Sequence, residues 1–136
     1  MNHYAPFDPA IGRIPGSFSL VLPAHNEQEN IGPVIRRAVE VLPHIVDTFE
    51  IIVVDDGSRD RTAEVVTALA TEDPHVRLIR HPKNLGYGGA VTTGIEASTG
   101  DFVMFMDSDR QFDIADLRLL SSFVGEYDIV AGFRLE

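Results

Sequence analysis

The sequence predicts an α/β domain built on a mostly parallel sheet with helices on both faces, and three observations carry that expectation. Short β-branched or apolar runs alternate with stretches whose apolar residues recur at helical spacing. Polar clusters rich in Asp, Asn, Gly and Ser follow several of those runs. Strands separated by helices imply right-handed crossovers, which join parallel neighbours.

Residues 1–17, punctuated by Pro6, Pro9, Gly12, Pro15 and Gly16 and lacking periodicity, read as an extended arm, leaving 18–136 as the folded domain. Order begins near Phe18. Residues 19–22 (Ser-Leu-Val-Leu) form a short strand halted by Pro23, and Asn26 with Glu29 three residues on resembles a capping box. Ile31, Val34, Ile35, Ala38, Val39 and Leu42 then mark one face of a helix. Residues 50–54 (Glu-Ile-Ile-Val-Val) repeat the strand, 55–58 (Asp-Asp-Gly-Ser) the turn, and Val65, Val66, Leu69 and Ala70 the helix. Residues 76–79 make a third strand. Gly86, Gly88 and Gly89 loosen the backbone before a helix carrying Ala90, Val91, Gly94 and Ile95, which Gly100 ends. A fourth strand spans 102–106, Asp113 or Asp116 caps a helix with Leu117, Leu120 and Val124 inward, and residues 127–131 give a fifth strand.

A chain of 136 residues with 44% hydrophobic and 24% charged residues suits one soluble globular domain that buries a core without staples. It has no cysteine, so neither a disulfide frame nor a thiolate metal site is available, and the cytoplasm is the expected compartment. The net charge of −10 opposes binding to nucleic-acid backbones and anionic membrane surfaces, which select clustered Lys and Arg. No apolar run approaches the ~20 residues of a membrane span. The final Leu135-Glu136 resembles a cloning scar, and the chain reads as the N-terminal part of a longer protein.

Chemistry concentrates in Asp107 and Asp109, two apart and directly after the apolar run 102–106. Two carboxylates at the exit of a buried strand are costly to place together unless a cation sits between them. Carboxylate oxygens suit Mg²⁺ or Mn²⁺, and Mg²⁺ usually takes one or two protein carboxylates, leaving its other positions to water and substrate phosphates. Gln111 adds a neutral oxygen. The set implies a diphosphate ligand more than a structural ion. An Asp-x-Asp in an acidic chain is commonly a solvated turn or helix cap; its place at a strand exit favours the site. In open parallel sheets ligands collect beyond the carboxyl ends of the strands, where residues 23–27, 55–58 and 107–111 all fall.

Residues 23–27 (Pro-Ala-His-Asn-Glu), 53–58 (Val-Val-Asp-Asp-Gly-Ser), 84–90 (Asn-Leu-Gly-Tyr-Gly-Gly-Ala) and 106–111 (Met-Asp-Ser-Asp-Arg-Gln) resemble, in order and spacing, the family 2 inverting glycosyltransferases. The likeness is strongest to the dolichol-phosphate-mannose synthase branch and its bacterial polyprenol-phosphate relatives, and covers roughly residues 18–134. It implies a GT-A fold with a Rossmann-like sheet, and metal-dependent transfer of a sugar from a GDP- or UDP-sugar to an acceptor such as polyprenyl or dolichyl phosphate. Carried over by position, Pro23, His25 and Glu27 line the nucleoside pocket, Val54 and Asp56 flank the base, and Asp55 stabilises its turn. Asp107 and Ser108 meet the nucleotide sugar, and Asp107, Asp109 and Gln111 hold Mg²⁺ or Mn²⁺. Asp109 and Arg134 act at the sugar diphosphate or the acceptor phosphate. His25 stands where a Tyr is frequent. Arg110 replaces a usual apolar residue, and either weakens metal affinity or contacts a phosphate. A lipid acceptor implies association of the full-length enzyme with the cytoplasmic face of a membrane.

Other residues read more plainly. Tyr87 is expected to pack on the sheet edge, Lys83 to be solvated, and His3, His44, His75 and His81 to lie on the surface. Three rivals remain open from the residues alone. A phospho-acceptor receiver module would use Asp55 and Asp56 for Mg²⁺, although the Lys it needs after the last strand is absent. A nucleotidyltransferase would carry a basic loop where residues 23–27 have no Lys or Arg. The third is a nucleotide-binding fragment without catalysis.

Overall fold

The alternating patterns fold, in a computed structural model that describes residues 12–132, into strands β1 (Ile14–Ala24), β2 (Val46–Asp56), β3 (Val76–His81) and β4 (Phe102–Phe105). Helices α1 (Ile31–Val41), α2 (Thr62–Glu72) and α3 (Tyr87–Ala97) connect them, and a short helix α4 (Leu117–Leu120) follows between two 3-10 turns, Ile114–Asp116 and Ser121–Phe123. All strand pairs are parallel, in the order β3-β2-β1-β4. The crossovers from β1 to β2 to β3 step in one direction, so α1 and α2 share a face; the crossover back to β4 places α3 on the other.

The period of two along each strand divides the core. Leu20 and Leu22 of β1 and Ile51 and Val53 of β2 join Ile31, Val34, Ile35, Ala38 and Val41 of α1. Val21, Ile52 and Val54 point the other way and meet Ala90 of α3 in a smaller cluster. The apolar face of α1 is almost wholly excluded from water, and each buried Ile or Val there contributes about 1.5–3 kcal/mol.

Several sequence expectations need correction. β1 begins at Ile14, four residues before Phe18, with Ile14 buried and paired to Val46. A register shift between Ile14 and Ser17 contains Pro15 and Gly16, and a bulge tolerates both the missing N–H and the positive φ of Gly16. That punctuation had made the segment look like an arm; residues 1–11 of the arm lie outside the described residues. Pro23 does not halt β1, which runs on to Ala24. Gly100 does not cap α3, which ends at Ala97 with Ser98 as C-cap. A Cβ at Gly100 would come within 2.7 Å of the Ser19 amide nitrogen, so the glycine permits close approach to β1. Asp113 is the cap of the last helical segment, its side chain accepting from the Ala115 N–H, but that segment breaks into three short turns. The fifth strand at 127–131 is not formed: only an isolated bridge joins Val124 to Tyr127, and Ile129 is 86% exposed. An apolar run becomes a strand only where a neighbour completes its ladder, and among the described residues none does here.

Candidate active site

The sheet reverses its winding direction between β1 and β4, and the crevice beyond the carboxyl ends of those two strands is where such sheets bind ligands. Ser108 ties the two ends together by donating from Oγ to the Pro23 carbonyl at 3.0 Å, and it is buried. Its neighbours Asp107 and Asp109 therefore flank a fixed point. A cavity of about 360 Å³ opens there. Seven residues expected from the sequence line it: Pro23, His25, Glu27, Asp56, Asp107, Ser108 and Asp109. Four polar segments contribute rather than three, because Asn84, Gly86, Tyr87 and Ala90 at the start of α3 complete the wall. A larger cleft of about 870 Å³ shares His25 and Asn84 and carries Arg59, Arg80 and Lys83, but none of the acids expected to do chemistry. The smaller cavity, with the paired carboxylates, is the candidate reaction site. Lys83 is solvent-exposed, as expected, on the rim of the larger cleft.

Asp56 is the hub of one wall. Its Oδ1 accepts from His81 Nδ1 and the Leu85 N–H, both at 2.8 Å, and its Oδ2 accepts from the Gly86 N–H at 2.9 Å. A carboxylate offers about four lone-pair sites, so roughly one remains for a ligand. Burial alone would raise this carboxyl; hydrogen bonds from His81, Leu85 and Gly86 and the His81 charge outweigh burial and hold it below the ordinary value of 3.8. His81 was expected on the surface. Its side chain is only 8% exposed, and its Nε2 meets Thr93 Oγ1 at 2.8 Å. The signal lay in the strands: aligning β2 with β3 in parallel places His81 directly opposite Asp56.

Asp55 does stabilise its turn, accepting the Ser58 N–H at Oδ1. It is fully buried, and its Oδ2 makes no hydrogen bond although Arg80 Nε stands 3.5 Å away as an ion-pair contact. With Asp55 sealed and three of the Asp56 lone pairs taken, the pair does not present the two open carboxylates that a receiver's Mg²⁺ would need. Val54, expected beside the base, is fully buried under α3 and lines neither cavity; the strand alternation that turns Ile52 toward α3 turns Val54 the same way.

The loop after β1 is held by the loop after β2. The Asn26 N–H donates to Ser58 Oγ, the Arg59 N–H to Asn26 Oδ1, and the Glu27 N–H to Thr62 Oγ1, each at 2.9 Å. Asn26 adopts φ 53, a left-handed conformation that Asn tolerates, and forms no capping box with Glu29; Asn30 is the N-cap of α1. Gly57 has φ 72, and a Cβ there would fall 2.6 Å from the Asn84 amide nitrogen. The glycine thereby lets the β2 loop and the α3 loop touch. His25 Nδ1 donates to the Asp56 carbonyl at 2.9 Å, and its Nε2 faces the side-chain amides of Asn26 and Asn84. Glu27 accepts from Asn30 Nδ2 at 3.0 Å.

The acidic turn is clamped on its far side. Arg37 of α1, 6% exposed, forms a two-pronged ion pair with Asp113, with Nε to Oδ1 and Nη2 to Oδ2 both at 3.1 Å. Between the Ser108 anchor and this clamp, Asp109 Oδ1 accepts the Gln111 N–H at 3.1 Å and Arg110 stands at φ 69. Arg110 Nε is buried without a hydrogen-bond partner. Gln111 is exposed and is not among the lining residues. Tyr87 does not pack on the sheet edge. It faces the acids, and partial burial, a hydrogen bond to Asp107 and the charges of Asp107 and Asp109 raise its hydroxyl to about 12. Among the described residues no group of three or more His, Asp or Glu side chains gathers as a metal cage. Two carboxylate side chains without an ion pair are nonetheless the donor set expected for a hard cation that completes its shell with phosphate and water. Arg134 lies outside the described residues.

The chain is similar to the undecaprenyl-phosphate 4-deoxy-4-formamido-L-arabinose transferase of Pseudomonas aeruginosa, with 36% identity over 120 residues that cover 87% of this chain and 35% of the relative. Its fold matches that of the mannosyltransferase PcManGT from Pyrobaculum calidifontis, solved with GDP-Man and Mn²⁺, at a TM-score of 0.67 and 24% identity over 85% of this chain and 34% of that one. It also matches glucosyl-3-phosphoglycerate synthase from Mycobacterium tuberculosis, solved with Mn²⁺, UDP-glucose and phosphoglyceric acid. There the TM-score is 0.55 and identity 32%, over 68% of this chain and 33% of that one. The chain spans between 19% and 36% of the length of the curated relatives it matches. The profile described as glycosyl transferase family 2 matches residues 19–136, and the chain belongs to that family.

Proposed function

We propose that this chain is the nucleotide-sugar-binding domain of a metal-dependent inverting glycosyltransferase whose acceptor is a polyprenyl phosphate. The observation that carries the reading is the pair Asp107 and Asp109, held at the β1/β4 switch point and lining one cavity with Glu27 and Asp56. Pro23, His25 and Glu27 form the nucleoside side, and the remaining lone pair of Asp56 is available to a base N–H. Asp107 and Asp109 would hold Mg²⁺ or Mn²⁺, and Gln111, exposed two residues further on, would be the neutral oxygen ligand beside them. The similar synthase solved with Mn²⁺ and UDP-glucose supports a divalent cation, and the similar undecaprenyl-phosphate transferase supports a lipid phosphate.

Cleavage of the anomeric bond develops negative charge on the departing diphosphate, and a bound cation would offset it as a Lewis acid. The protein's part would be to hold that cation at Asp107 and Asp109, so that the diphosphate's charge develops against the cation and not against the bare carboxylates. Tyr87 stays protonated near neutral pH and presents a hydrogen bond at Asp107. A lipid phosphate is already an anion and needs no general base. Arg134 is assigned to the diphosphate or acceptor phosphate by position in the family motif. Among the described residues no helix is long and apolar enough to cross a membrane; a lipid-phosphate acceptor implies that the full-length enzyme works at the cytoplasmic face of a bilayer.

Calorimetric titration of GDP, UDP, dTDP and CDP, each with Mn²⁺ and with EDTA, tests the reading. One nucleotide should bind in a metal-dependent way, and Asp109→Asn should weaken it about tenfold while leaving the nucleoside within about twofold. Equal losses for diphosphate and nucleoside would overturn the metal assignment.

A further inference from the structure

We infer that His81 is a positioning residue of the nucleotide pocket, acting through Asp56 on the loop that opens α3. The proposal rests on the donor-pocket reading above and adds a residue that does not line that cavity. His81 ends β3 opposite Asp56, and the ring bridges two elements: Nδ1 to Asp56 Oδ1 and Nε2 to Thr93 Oγ1 on α3, each at 2.8 Å. The Asp56 carboxylate can only accept, so Nδ1 carries the proton of that bond. With one oxygen fixed by His81, the other is aimed at the Gly86 N–H, and Leu85 shares the first. Gly86 stands at φ 89 and starts the helix whose first residue, Tyr87, reaches Asp107. The strut thus links the base wall to the acid wall. Without it Asp56 is free to rotate, Leu85 loses its acceptor, Gly86 keeps only Asn84 Oδ1 at 2.9 Å, and the wall between the two ends of the donor loosens.

Two near-isosteric substitutions separate this role from a general contribution to packing. The amide nitrogen of Asn overlays Nδ1, so His81→Asn keeps the bond to Asp56 and loses Thr93. The amide of Gln overlays Nε2, so His81→Gln keeps Thr93 and loses Asp56. Hydrogen exchange, read without any nucleotide, should accelerate at least about tenfold at the Leu85 amide in His81→Gln, less at Gly86, which also donates to Asn84 Oδ1, and should change within about twofold at both in His81→Asn. The affinity for the nucleotide that binds with Mn²⁺ should follow the same split, about tenfold against about twofold, at equal loss of urea stability in the two variants. Identical behaviour of the two variants in exchange and affinity, or losses that track urea stability alone, would overturn the proposal. A wild-type protein that binds no nucleotide would overturn the donor-pocket reading and the role of His81 in it, while exchange at Leu85 and Gly86 would still decide whether the strut exists.

Discussion

The two ends of the sheet use the same side chain in opposite ways. At the amino ends, Asp47 accepts from Arg13 and the Gly16 N–H, Asp101 from the Ser17 N–H, and Glu50 from Ser19 Oγ, the Thr99 N–H and hydroxyl, and Arg77. At the carboxyl ends, Asp107 has the Tyr87 hydroxyl and Asp109 one turn amide, and neither has an ion pair among the described residues. Strand β2 supplies Glu50 to the first group, while Asp55 and Asp56 at its carboxyl end are tied into the loops there. The acids at the amino ends join segments of the fold, and Glu50 is saturated in doing so. Acids that keep lone pairs are placed for something the fold does not supply.

The comparison breaks most easily at Glu50. Replacing it with Ala leaves Ser19 and Thr99 without their acceptor and Arg77 with only the Ala97 carbonyl, and should cost about 2–3 kcal/mol in urea unfolding, with nucleotide affinity retained. A loss below about 0.5 kcal/mol would show that the amino-end acids are dispensable.

Acid titration of stability should produce the next largest effect. Burial pushes Glu50 upward, but its hydrogen bonds to Ser19 and Thr99 and the Arg77 charge hold it below its ordinary 4.5; for Asp47, the Gly16 N–H and Arg13 do the same below 3.8. A carboxylate with a lowered folded value stabilises the native state fully above its unfolded value, and that contribution is lost as pH falls through the folded one. Urea midpoints should therefore be flat with respect to these groups above about pH 5 and drop below about 4.5, and Glu50→Gln should blunt the drop. A midpoint that rises on acidification would contradict the partner assignments.

The smallest stability change should come from Asp107→Asn at the other end. It removes one of two neighbouring negative charges and should leave stability within about 0.5 kcal/mol, while metal-dependent nucleotide binding falls about tenfold. A clear destabilisation would move Asp107 into the structural class.

Much of this division was legible in the sequence. Helical spacing from Ile31 to Leu42 and the β-branched run at 50–54 gave α1 and β2, and the parallel sheet with helices on both faces is shared with solved glycosyltransferases. Asp107 and Asp109 stood out because they follow an apolar strand. Three features were hidden for physical reasons. His81 looked isolated because its partner is 25 residues away and adjacent only after strand pairing. Val54 looked like part of a motif, yet its place in the alternation sends it into the core. Residues 127–131 have the composition of a strand but, among the described residues, no neighbour to complete one.

The Ser108 bond to Pro23 closes a stretch of 85 residues, whereas Ser19 and Glu50 close 31. Loop-closure entropy grows only with the logarithm of length, so the longer closure costs about 0.9 kcal/mol more than the shorter one. Bringing a pair of carboxylates to a strand so distant in the chain is therefore cheap for an unconstrained loop. Insertions in the surface connections between β1 and β4 could lengthen that stretch considerably while the geometry at the switch point stays the same.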